Sequence, residues 1–441
     1  MKRLLSLLLC AVLALFCATT AQAAGVSITL TASEYALHYA FDAGAQDPFV
    51  ILEYATPAEK GWMMLYSADG HFEGDVSLAY SGAGGKTSVA LTSARTTGSI
   101  GKASTTLPKA ADYQKPTGKS NAKVTDFVLT ETPEGFHYAF NAIGTDYMLL
   151  YWRSKEQTVT QPVYPDENGH YEGDIISELT FARTQFTVQV KSGSGSMKKE
   201  ATVRKGYQAP GAPQRQEGRL SGVTVCIDAG HQENGRFVNE PIGPGLTGST
   251  SGKGGMAQGT KTNRRESIVC LEIGMLLRDE LLRQGANVIM TREDQTTFHT
   301  NIERCEIAEV GGAQIMLRLH CNNSSNRSKR GIQVYGPLNS DYAKAVADAD
   351  TYRKMGQKLL DAMKTRVGMT LANSTGMVRL NDNYVGNNWA KMMCFLVEMG
   401  YLSNPAEEYL LVTPVYQQWL AEGMADGVYE IAVARGWVQA Q

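Results

Sequence analysis

Three separate apolar segments in the second half of the chain each lead to an ionisable residue. The first runs through a Gly turn to His231, the second is followed directly by His320, and the third ends at Glu398. A fourth residue, Glu266, begins a stretch with apolar residues at helical spacing. Two histidines and a carboxylate are a common zinc-binding set that leaves one position open for water. A second carboxylate beside that water could act as general base.

The elements around these residues predict how they are positioned. Strands alternate with helices from residue 220 onwards, which predicts an α/β domain with a largely parallel sheet. The carboxyl ends of parallel strands form the ligand-binding edge of such a sheet, so the residues that end the strands should converge there. The predicted strands are Val223–Ile227, Val288–Met290, Ile315–Leu319 and Met392–Val397, and the predicted helices are Glu266–Gln284, Ile302–Val310, Ala343–Arg366 and Tyr416–Ala434.

Each of the four residues also has a purely structural interpretation. His231 could be a turn residue and His320 a hydrogen-bonded core histidine. Glu266 could be an acidic residue that the dipole of its helix favours. Glu398 is harder to explain in this way, because a charge that ends an apolar strand is costly unless it is paired or functional.

The same region resembles a known family. Its motifs occur in order along the chain: Ile227–His231, Arg265–Glu266, Val288–Asp294, Leu317–Asn322 and Leu396–Pro405. Together they resemble the zinc-dependent N-acetylmuramoyl-L-alanine amidases of bacterial cell walls, the amidase-3 family, over roughly residues 220–435. The resemblance implies a phosphorylase/hydrolase-like α/β fold in which His231, Glu266 and His320 bind Zn2+ and Glu398 is the catalytic acid and base.

Some positions depart from the family pattern. Gln232 stands where a Gly often follows the first zinc histidine, and Met393 stands where a Pro is common. The Gly-rich stretch Gly248–Gly259 does not have the spacing of a phosphate-binding loop. It is interpreted either as a mobile flap near the cleft or as a plain surface loop.

The activity that the resemblance implies is hydrolysis of the amide between N-acetylmuramic acid and the L-alanine of the stem peptide, with peptidoglycan as substrate. Two alternatives remain at this stage. The chain could be another zinc peptidase or carboxypeptidase of the cell wall, or a wall-binding module whose catalytic domain is vestigial.

The N-terminus has the pattern of a secretory signal peptide. Lys2 and Arg3 precede the apolar run Leu4–Cys17, and Ala21–Ala23 supplies small residues at a cleavage site. The run is shorter than the ~18–20 apolar residues of a membrane-spanning helix. Residues 1–23 are therefore predicted to be a signal peptide, and the protein to be secreted to the cell envelope without stable membrane insertion after cleavage.

An internal repeat follows the signal peptide. His38–Phe41 recurs 99 residues later as His137–Phe140, and Gly70–Asp75 recurs at the same offset as Gly169–Asp174. Short alternating runs separated by Gly, Asp and Asn are typical of antiparallel β-sandwiches. The sequence therefore predicts two all-β, immunoglobulin-like sandwich repeats, at residues 24–117 and 118–205.

Four of the seven histidines lie at matched places in these repeats: His38, His71, His137 and His170. Their pairing would suit metal ligands, but a single histidine in a strand or turn is more often structural, so a structural role is predicted. A Pro/Gly/Gln-rich stretch over 206–219 is predicted to be a linker to the catalytic domain at 220–441. The repeats could bind wall glycans or a protein partner, or act only as spacers.

The bulk composition agrees with several globular domains. The chain has 441 residues, 43% hydrophobic and 20% charged. A formal net charge of -2 gives no indication of a nucleic-acid partner. The five cysteines that follow the signal peptide show no CxxC spacing, so they predict neither a disulfide framework nor a cysteine zinc site.

Overall fold

A computed structural model describes most of the chain in two compact units, Met1–Gly206 and Tyr207–Gln441. The described residues are 18–21, 25–78, 80–111, 113, 123–132, 135–143, 148–153, 157–176, 185–191, 197–204, 211–232, 238–250, 255–367 and 377–440. Most of the predicted signal peptide, residues 206–210 of the predicted linker and residues 251–254 of the Gly-rich stretch lie outside them.

The N-terminal unit consists of antiparallel strands, as the alternating pattern predicts. Its strands are β1 Ala18–Ala21, β2 Ile28–Ser33, β3 Ala36–Asp42, β4 Phe49–Ala55, β5 Glu59–Tyr66, β6 His71–Ser77, β7 Gly85–Ser93, β8 Ser99–Leu107, β9 Lys123–Thr132, β10 Gly135–Ile143, β11 Met148–Arg153, β12 Gln157–Val163, β13 His170–Ile176, β14 Gln185–Lys191 and β15 Met197–Arg204.

These strands form three sheets, with orders β1-β2-β3-β6, β13-β10-β9 and β15-β14-β11-β12-β5-β4-β7-β8. The eight-stranded sheet contains strands from both copies of the sequence repeat, because β12 pairs with β5. Each copy nevertheless has its own apolar core, one around Leu37 and Phe41 and the other around Phe140 and Trp152. The expectation of two sandwiches did not include this shared sheet. The immunoglobulin-like assignment stays a prediction.

Glycines recur at matched positions of the two copies because the backbone or the packing there excludes a side chain. Gly70 and Gly169 have φ values of +84° and +78°, in the left-handed region where L side chains are strained. Gly74 lies opposite Tyr39 in the β3–β6 ladder. A Cβ on Gly74 would lie 2.7 Å from the Tyr39 hydroxyl, so the tyrosine ring can cross the strand only above a glycine.

The C-terminal unit alternates strands and helices. Its elements are β16 Thr224–Ala229, α1 Glu266–Arg283, β17 Asn287–Met290, α2 Asn301–Val310, β18 Ile315–Asn322, β19 Gln333–Gly336, α3 Asp341–Val346, α4 Ala349–Val367, β20 Met377–Leu380, α5 Val385–Trp389, β21 Met393–Tyr401, α6 Glu407–Leu410 and α7 Pro414–Ala434.

A six-stranded sheet in the order β17-β16-β18-β21-β19-β20 forms the centre of this unit. Its strand pairs are parallel except for β19 with β21. Helix α1 packs on one face, against β16 and β18, and a Cβ on Gly274 would lie 3.5 Å from the Ile227 side chain. The other face contacts α2 through the cluster that contains Cys226, Cys305 and Cys394. The predicted α/β domain with a largely parallel sheet is confirmed.

One predicted helix is divided in two. The sequence predicts a single helix over Ala343–Arg366, but the chain is extended at Ala347, with φ -168° and ψ 161°. The carboxylate of Asp348 then accepts a hydrogen bond from the backbone N–H of Thr351 at 2.7 Å, which satisfies a free donor in the first turn of α4. An Asp that can cap a new helix therefore favours the break.

Residues 211–219, predicted to belong to the linker, lie in the C-terminal unit. Arg215 Nη1 donates to Gly285 O at 2.9 Å, and the backbone N–H of Gln216 donates to Leu282 O at 3.0 Å. Among the described helices of the chain, none has the length and apolar character needed to cross a membrane. The five described cysteines are buried free thiols.

Candidate metal and catalytic site

His231 projects from a tight turn directly after β16. Gly230 N–H donates to Leu319 O at 2.9 Å, so the turn lies against β18. A Cβ on Gly230 would lie 2.6 Å from Cε1 of His320, which leaves no room for a side chain. His231 itself has φ +57°, a left-handed conformation that costs energy in a non-glycine residue. The strained turn places its imidazole beside the end of β18.

His231, Glu266 and His320 converge on one point. Their potential ligand atoms all lie within 4.8 Å of one another. Glu266 Oε2 lies 3.2 Å from His231 Nε2, and its other oxygen, Oε1, lies 2.9 Å from His320 Nδ1. The two rings meet edge to face, with centroids 4.9 Å apart. One carboxylate therefore lies between two imidazoles, as the convergence of the strand ends predicts.

Glu266 is the first residue of α1 and is held by the backbone as well. Ala257 N–H donates to Oε2 at 2.8 Å and Cys321 N–H donates to Oε1 at 3.0 Å. Burial raises the pKa of the Glu266 carboxyl, but hydrogen bonds and charge from His231 and His320 outweigh it, so the pKa lies well below its usual value. Glu266 is thus an anion with fixed orientation.

His320 lies near the end of β18, with its side chain 15% exposed. Burial holds the pKa of its imidazole below the usual value, although the neighbouring Glu266 opposes this effect. The neutral form is the one that binds metals. Its Nε2 atom is buried and has no hydrogen-bond partner among the described residues. A buried polar atom of this kind is costly unless a ligand or water completes it, and this fits a metal site.

Glu398 lies beside the three-residue group but outside it. It occupies the position on β21 that pairs with His320 on β18. Burial, followed by the negative charge of Glu266, raises the pKa of Glu398 to about 8. Its Oε2 atom is also buried without a hydrogen-bond partner in the described part of the chain. The site therefore combines one strongly acidic glutamate and one weakly acidic glutamate.

A buried ion-pair network supports the strand that leads to His231. Asp228 is fully buried and accepts hydrogen bonds from Arg304, from Arg318 Nε at 2.9 Å, and from Thr291 Oγ1 at 2.8 Å. Burial alone would raise the pKa of Asp228, but the two guanidinium groups lower it well below the usual value. The network connects β16, β18 and α2 directly behind the site.

Two arginines bind the backbone of the His231 turn. Arg292 donates to Ala229 O at 2.7 Å and to Gly230 O at 2.9 Å. Arg304 donates to His231 O at 3.3 Å and to the side-chain oxygen of Gln232. Gln232, which departs from the family pattern, therefore has a partner that fixes the turn.

The sequence prediction named Arg292 only as part of a motif and missed the roles of Arg304 and Arg318. A signal for Arg318 was present, because it interrupts the apolar strand Ile315–Leu319 and must therefore be paired. No local pattern marks Arg304, whose partner Asp228 is 76 residues away.

A polar network lies next to Glu398 on the far side from His320. Gln333 pairs with Glu398 in the ladder between β19 and β21. The Gln333 side-chain oxygen accepts from Tyr335 at 2.6 Å and from Asn322 at 3.1 Å, and its amide donates to the Tyr401 hydroxyl at 3.1 Å. These residues form a polar surface at the strand ends, beside the candidate base.

The connection from His231 to Glu266 is fixed at several points in its described parts. Glu240 accepts hydrogen bonds from the backbone N–H groups of Asn301 and Ile302, at the start of α2. Glu408 accepts from the N–H of Lys261 at 2.8 Å. Whether Gly248–Gly259 acts as a flap stays a prediction.

The C-terminal unit is similar in sequence to known amidases. Residues 225–430 match the Amidase_3 family model, described as N-acetylmuramoyl-L-alanine amidase. The germination-specific N-acetylmuramoyl-L-alanine amidase of Bacillus subtilis (strain 168) is 26% identical over 231 residues, which are 49% of this chain and 83% of that protein. The probable cell wall amidase LytH of Staphylococcus aureus is 27% identical over 218 residues, 48% of this chain and 60% of that protein.

Among solved structures, the N-acetylmuramoyl-L-alanine amidase from Clostridium difficile 630 is similar to part of this chain. The superposition covers 48% of this chain and 96% of the amidase, with 24% sequence identity and a TM-score of 0.38. Residues 225–430, which match the amidase family model, lie within the α/β domain that the structure shows. The family match and the curated relatives support a peptidoglycan amidase function for it.

Proposed function

We propose that this chain is an exported, zinc-dependent N-acetylmuramoyl-L-alanine amidase that cleaves the amide between N-acetylmuramic acid and the L-alanine of the stem peptide. The observation that carries this proposal is the convergence of His231, Glu266 and His320 within 4.8 Å, with the buried carboxyl of Glu398 on the paired strand. The match of residues 225–430 to the amidase family supports the choice of substrate.

His231, Glu266 and His320 would hold the zinc ion. Two histidines and one glutamate are one of the common donor sets of catalytic zinc. When bound, zinc supplies Lewis acidity, which makes a water nucleophilic near neutral pH and polarises the scissile carbonyl. Arg292 and Arg304 act on this site through the backbone of the His231 turn, where they keep the imidazole in place, and Arg292 also donates to Ser267 O.

Glu398 would move the proton. Its carboxylate accepts the proton of the attacking water and returns it to the amine that leaves. The burial that raises its pKa to about 8 makes it a stronger base than an exposed glutamate. Positive charge at the neighbouring three-residue site would favour the ionised form, which is the form that can accept a proton. Glu266 would not take this role, because it is the proposed carboxylate ligand and its two oxygens also accept hydrogen bonds from the backbone N–H groups of Ala257 and Cys321.

The products of a peptidoglycan digest test this function. Mass spectrometry of soluble wall fragments should show intact stem peptides with a new L-alanine amino terminus, and glycan chains without peptides. Loss of a C-terminal amino acid from the stem would instead indicate a carboxypeptidase. An unchanged digest from a folded, zinc-loaded chain would indicate a wall-binding protein with a vestigial site.

We further propose that residues 1–23 are removed as a signal peptide and that the mature protein acts in the cell envelope or outside the cell. The cell-wall amidases among the relatives support this location. Residues 24–117 and 118–205 would be two β-sandwich repeats that bind wall glycan or a protein partner, joined through 206–219 to the catalytic domain at 220–441. N-terminal sequencing of the secreted protein tests the cleavage: it should begin at Ala24, and a start at Met1 would contradict it.

A further inference from the structure

Strand β21 contains one extra residue shortly after Glu398. Glu398 pairs with His320 of β18. The pair that follows joins Tyr401 to Asn322, so β21 advances three residues while β18 advances two. Side chains alternate between the two faces of a strand, and regular alternation would place Tyr401 on the face opposite to Glu398. The extra residue returns Tyr401 to the face that carries Glu398, a common effect of a bulge next to a functional site.

Gln333 on β19 connects this following pair to Glu398. It stands directly opposite Glu398 in the ladder between β19 and β21, on the same face of the sheet. Its side chain contacts both residues of the following pair, Asn322 at 3.1 Å and Tyr401 at 3.1 Å. Asn322 and Gln333 are both partly exposed. Two amide side chains beside the candidate base are therefore accessible to a ligand.

A backbone group fixes the direction of each hydrogen bond in this network. The backbone N–H of Asn323 can only donate, and it lies 2.8 Å from Oδ1 of Asn322. The amide nitrogen of Asn322 therefore faces Oε1 of Gln333, which also accepts from the Tyr335 hydroxyl at 2.6 Å. Nε2 of Gln333 in turn donates to the hydroxyl oxygen of Tyr401. The orientations of both amides follow from this one backbone contact.

The groups that this network leaves without a partner are all donors. The hydroxyl oxygen of Tyr401 accepts from Gln333, so its hydrogen points away from Gln333. The amide nitrogens of Asn322 and Gln333 each use one of their two hydrogens in the network. None of the three remaining hydrogens has an acceptor within the described part of the chain. Asn322, Gln333 and Tyr401 are therefore complementary to a group that only accepts hydrogen bonds.

The charge of Glu398 selects the kind of acceptor. In its base form Glu398 is an anion, and a carboxylate of the ligand placed next to it would be repelled. A carbonyl oxygen accepts hydrogen bonds without carrying a charge, so it meets no such repulsion. Amide carbonyls recur along a peptide backbone, and the peptide part of the proposed substrate therefore supplies the group that fits these donors best.

We infer that Asn322, Gln333 and Tyr401 bind an amide carbonyl oxygen in the peptide part of the substrate and hold the peptide beside Glu398. These roles rest on the proposed amidase function, which supplies the peptide substrate. Tyr335 has a different role, because its hydroxyl donates to Oε1 of Gln333 and keeps the amide nitrogen turned towards the ligand.

Calorimetric binding of two ligands to full-length, zinc-loaded Glu398→Gln protein, which serves as the parent, tests this inference. N-acetylmuramoyl-L-alanyl-D-isoglutamine carries a peptide, and N-acetylmuramic acid does not. Tyr401→Phe, added to the parent, removes one hydroxyl and keeps the ring, and Gln333→Met removes the central amide at similar size. Tyr401→Phe should bind the peptide ligand roughly 2- to 12-fold more weakly, the range of one neutral hydrogen bond, and Gln333→Met at least as weakly. Binding of N-acetylmuramic acid should be unchanged.

Tyr352→Phe is the matched control. It also removes a buried tyrosine hydroxyl, but this hydroxyl has no hydrogen-bond partner among the described residues, and the ring packs on Phe395. It should bind both ligands as the parent does. If the parent, Tyr401→Phe and Gln333→Met bind the peptide ligand equally, or if the parent does not bind it, the inference is wrong. Equal weakening with both ligands would place the contact on the sugar and would also contradict it.

Steady-state kinetics separate substrate binding from a disturbed active site. In the protein that keeps Glu398, Tyr401→Phe and Gln333→Met should raise KM for soluble wall fragments and leave kcat, the pH profile and the zinc content unchanged. A lower kcat with an unchanged KM, or a shifted pH profile, would show that the network supports Glu398 instead of the substrate. If the peptide ligand binds as expected but the wild type releases no L-alanine amino termini, only the proposed function fails.

Discussion

His320 and Glu398 occupy paired positions on the neighbouring parallel strands β18 and β21, and each carries one buried polar atom without a hydrogen-bond partner among the described residues. The two atoms belong to a neutral imidazole and a carboxyl group whose pKa is raised to about 8. Their pairing places a proposed metal ligand next to the proposed proton acceptor, and the proposed hydrolysis depends on this arrangement.

Loss of one proposed ligand should empty the metal site. His320→Ala removes one of three donors, so zinc at the catalytic site and amidase activity should disappear together. His299→Ala removes a histidine that is not a proposed ligand and should change neither. Elemental analysis after dialysis against a weak chelator measures the tightly held zinc. Retention of this zinc by the His320→Ala protein would exclude His320 as a ligand.

The Arg292 side chain should tune metal affinity without being a ligand. Arg292→Lys keeps the charge but cannot donate to Ala229 O, Gly230 O and Ser267 O together, so the His231 turn should loosen. Loss of an outer partner of a metal ligand typically costs about 10- to 100-fold in affinity or activity. Zinc titration against a competing chelator should show this weakening. If high zinc restores the amidase rate of the Arg292→Lys protein, Arg292 positions the metal site. If the zinc affinity of the variant equals that of the wild type, Arg292 does not have this positioning role.

The Asp228 network should stabilise the C-terminal unit in a pH-dependent way. Asp228→Asn leaves the buried Arg304 and Arg318 without their counter-ion. Such a change typically lowers the free energy of unfolding by about 3–5 kcal/mol. Because the folded-state pKa of Asp228 lies below its unfolded value, its contribution is complete at neutral pH and is lost only as the pH falls below the usual aspartate range.

Hydrogen exchange of the backbone amides in β16 and β18, measured in urea, compares the stability of the wild type with that of the Asp228→Asn protein. The wild-type amides should be better protected by the full amount at neutral pH, and this advantage should become smaller in strong acid. Asp350→Asn is the control, because Asp350 and its partner Arg353 are both exposed on α4. Equal protection in the Asp228→Asn protein and the wild type would show that the network does not stabilise the fold.

The C-terminal unit should fold and act without the N-terminal strands. A chain that begins at Gly211 keeps the contacts of Arg215 and Gln216 with the end of α1, whereas a chain that begins at Leu220 loses them. We expect the longer chain to cleave soluble wall fragments at the rate of the full-length protein. The shorter chain should be less stable in thermal unfolding. An inactive or insoluble longer chain would contradict the independence of the unit.

The site residues could be predicted because each lies where a local pattern changes. His231, His320 and Glu398 follow apolar strands, and Glu266 begins a helix, so the general rule for parallel sheets brings them together. The supporting contacts could not be predicted in this way. Arg304 reaches Asp228 across 76 residues, and strand β12 pairs with β5 across a repeat boundary. Such contacts depend on packing between distant segments, which local periodicity does not encode.

The short strands β19 and β20 were missed for a related reason. Each has four residues, too few for an alternation to be recognised, and their pairing with β21 and with each other defines them. Gln333 on β19 is next to Glu398 only because of this pairing. The polar surface around the candidate base was therefore visible only in the folded chain.

The paired measurement of zinc content and turnover in Glu398→Gln tests the central claim most directly. Glutamine keeps the size of the side chain but cannot accept the proton of the attacking water. General acid–base help is typically worth about 10²- to 10⁴-fold in rate, so release of L-alanine amino termini from peptidoglycan should fall by at least that factor. Zinc at the catalytic site should stay at the wild-type level, because His231, Glu266 and His320 are unchanged. Turnover near the wild-type rate, or loss of the zinc together with the activity, would contradict the account.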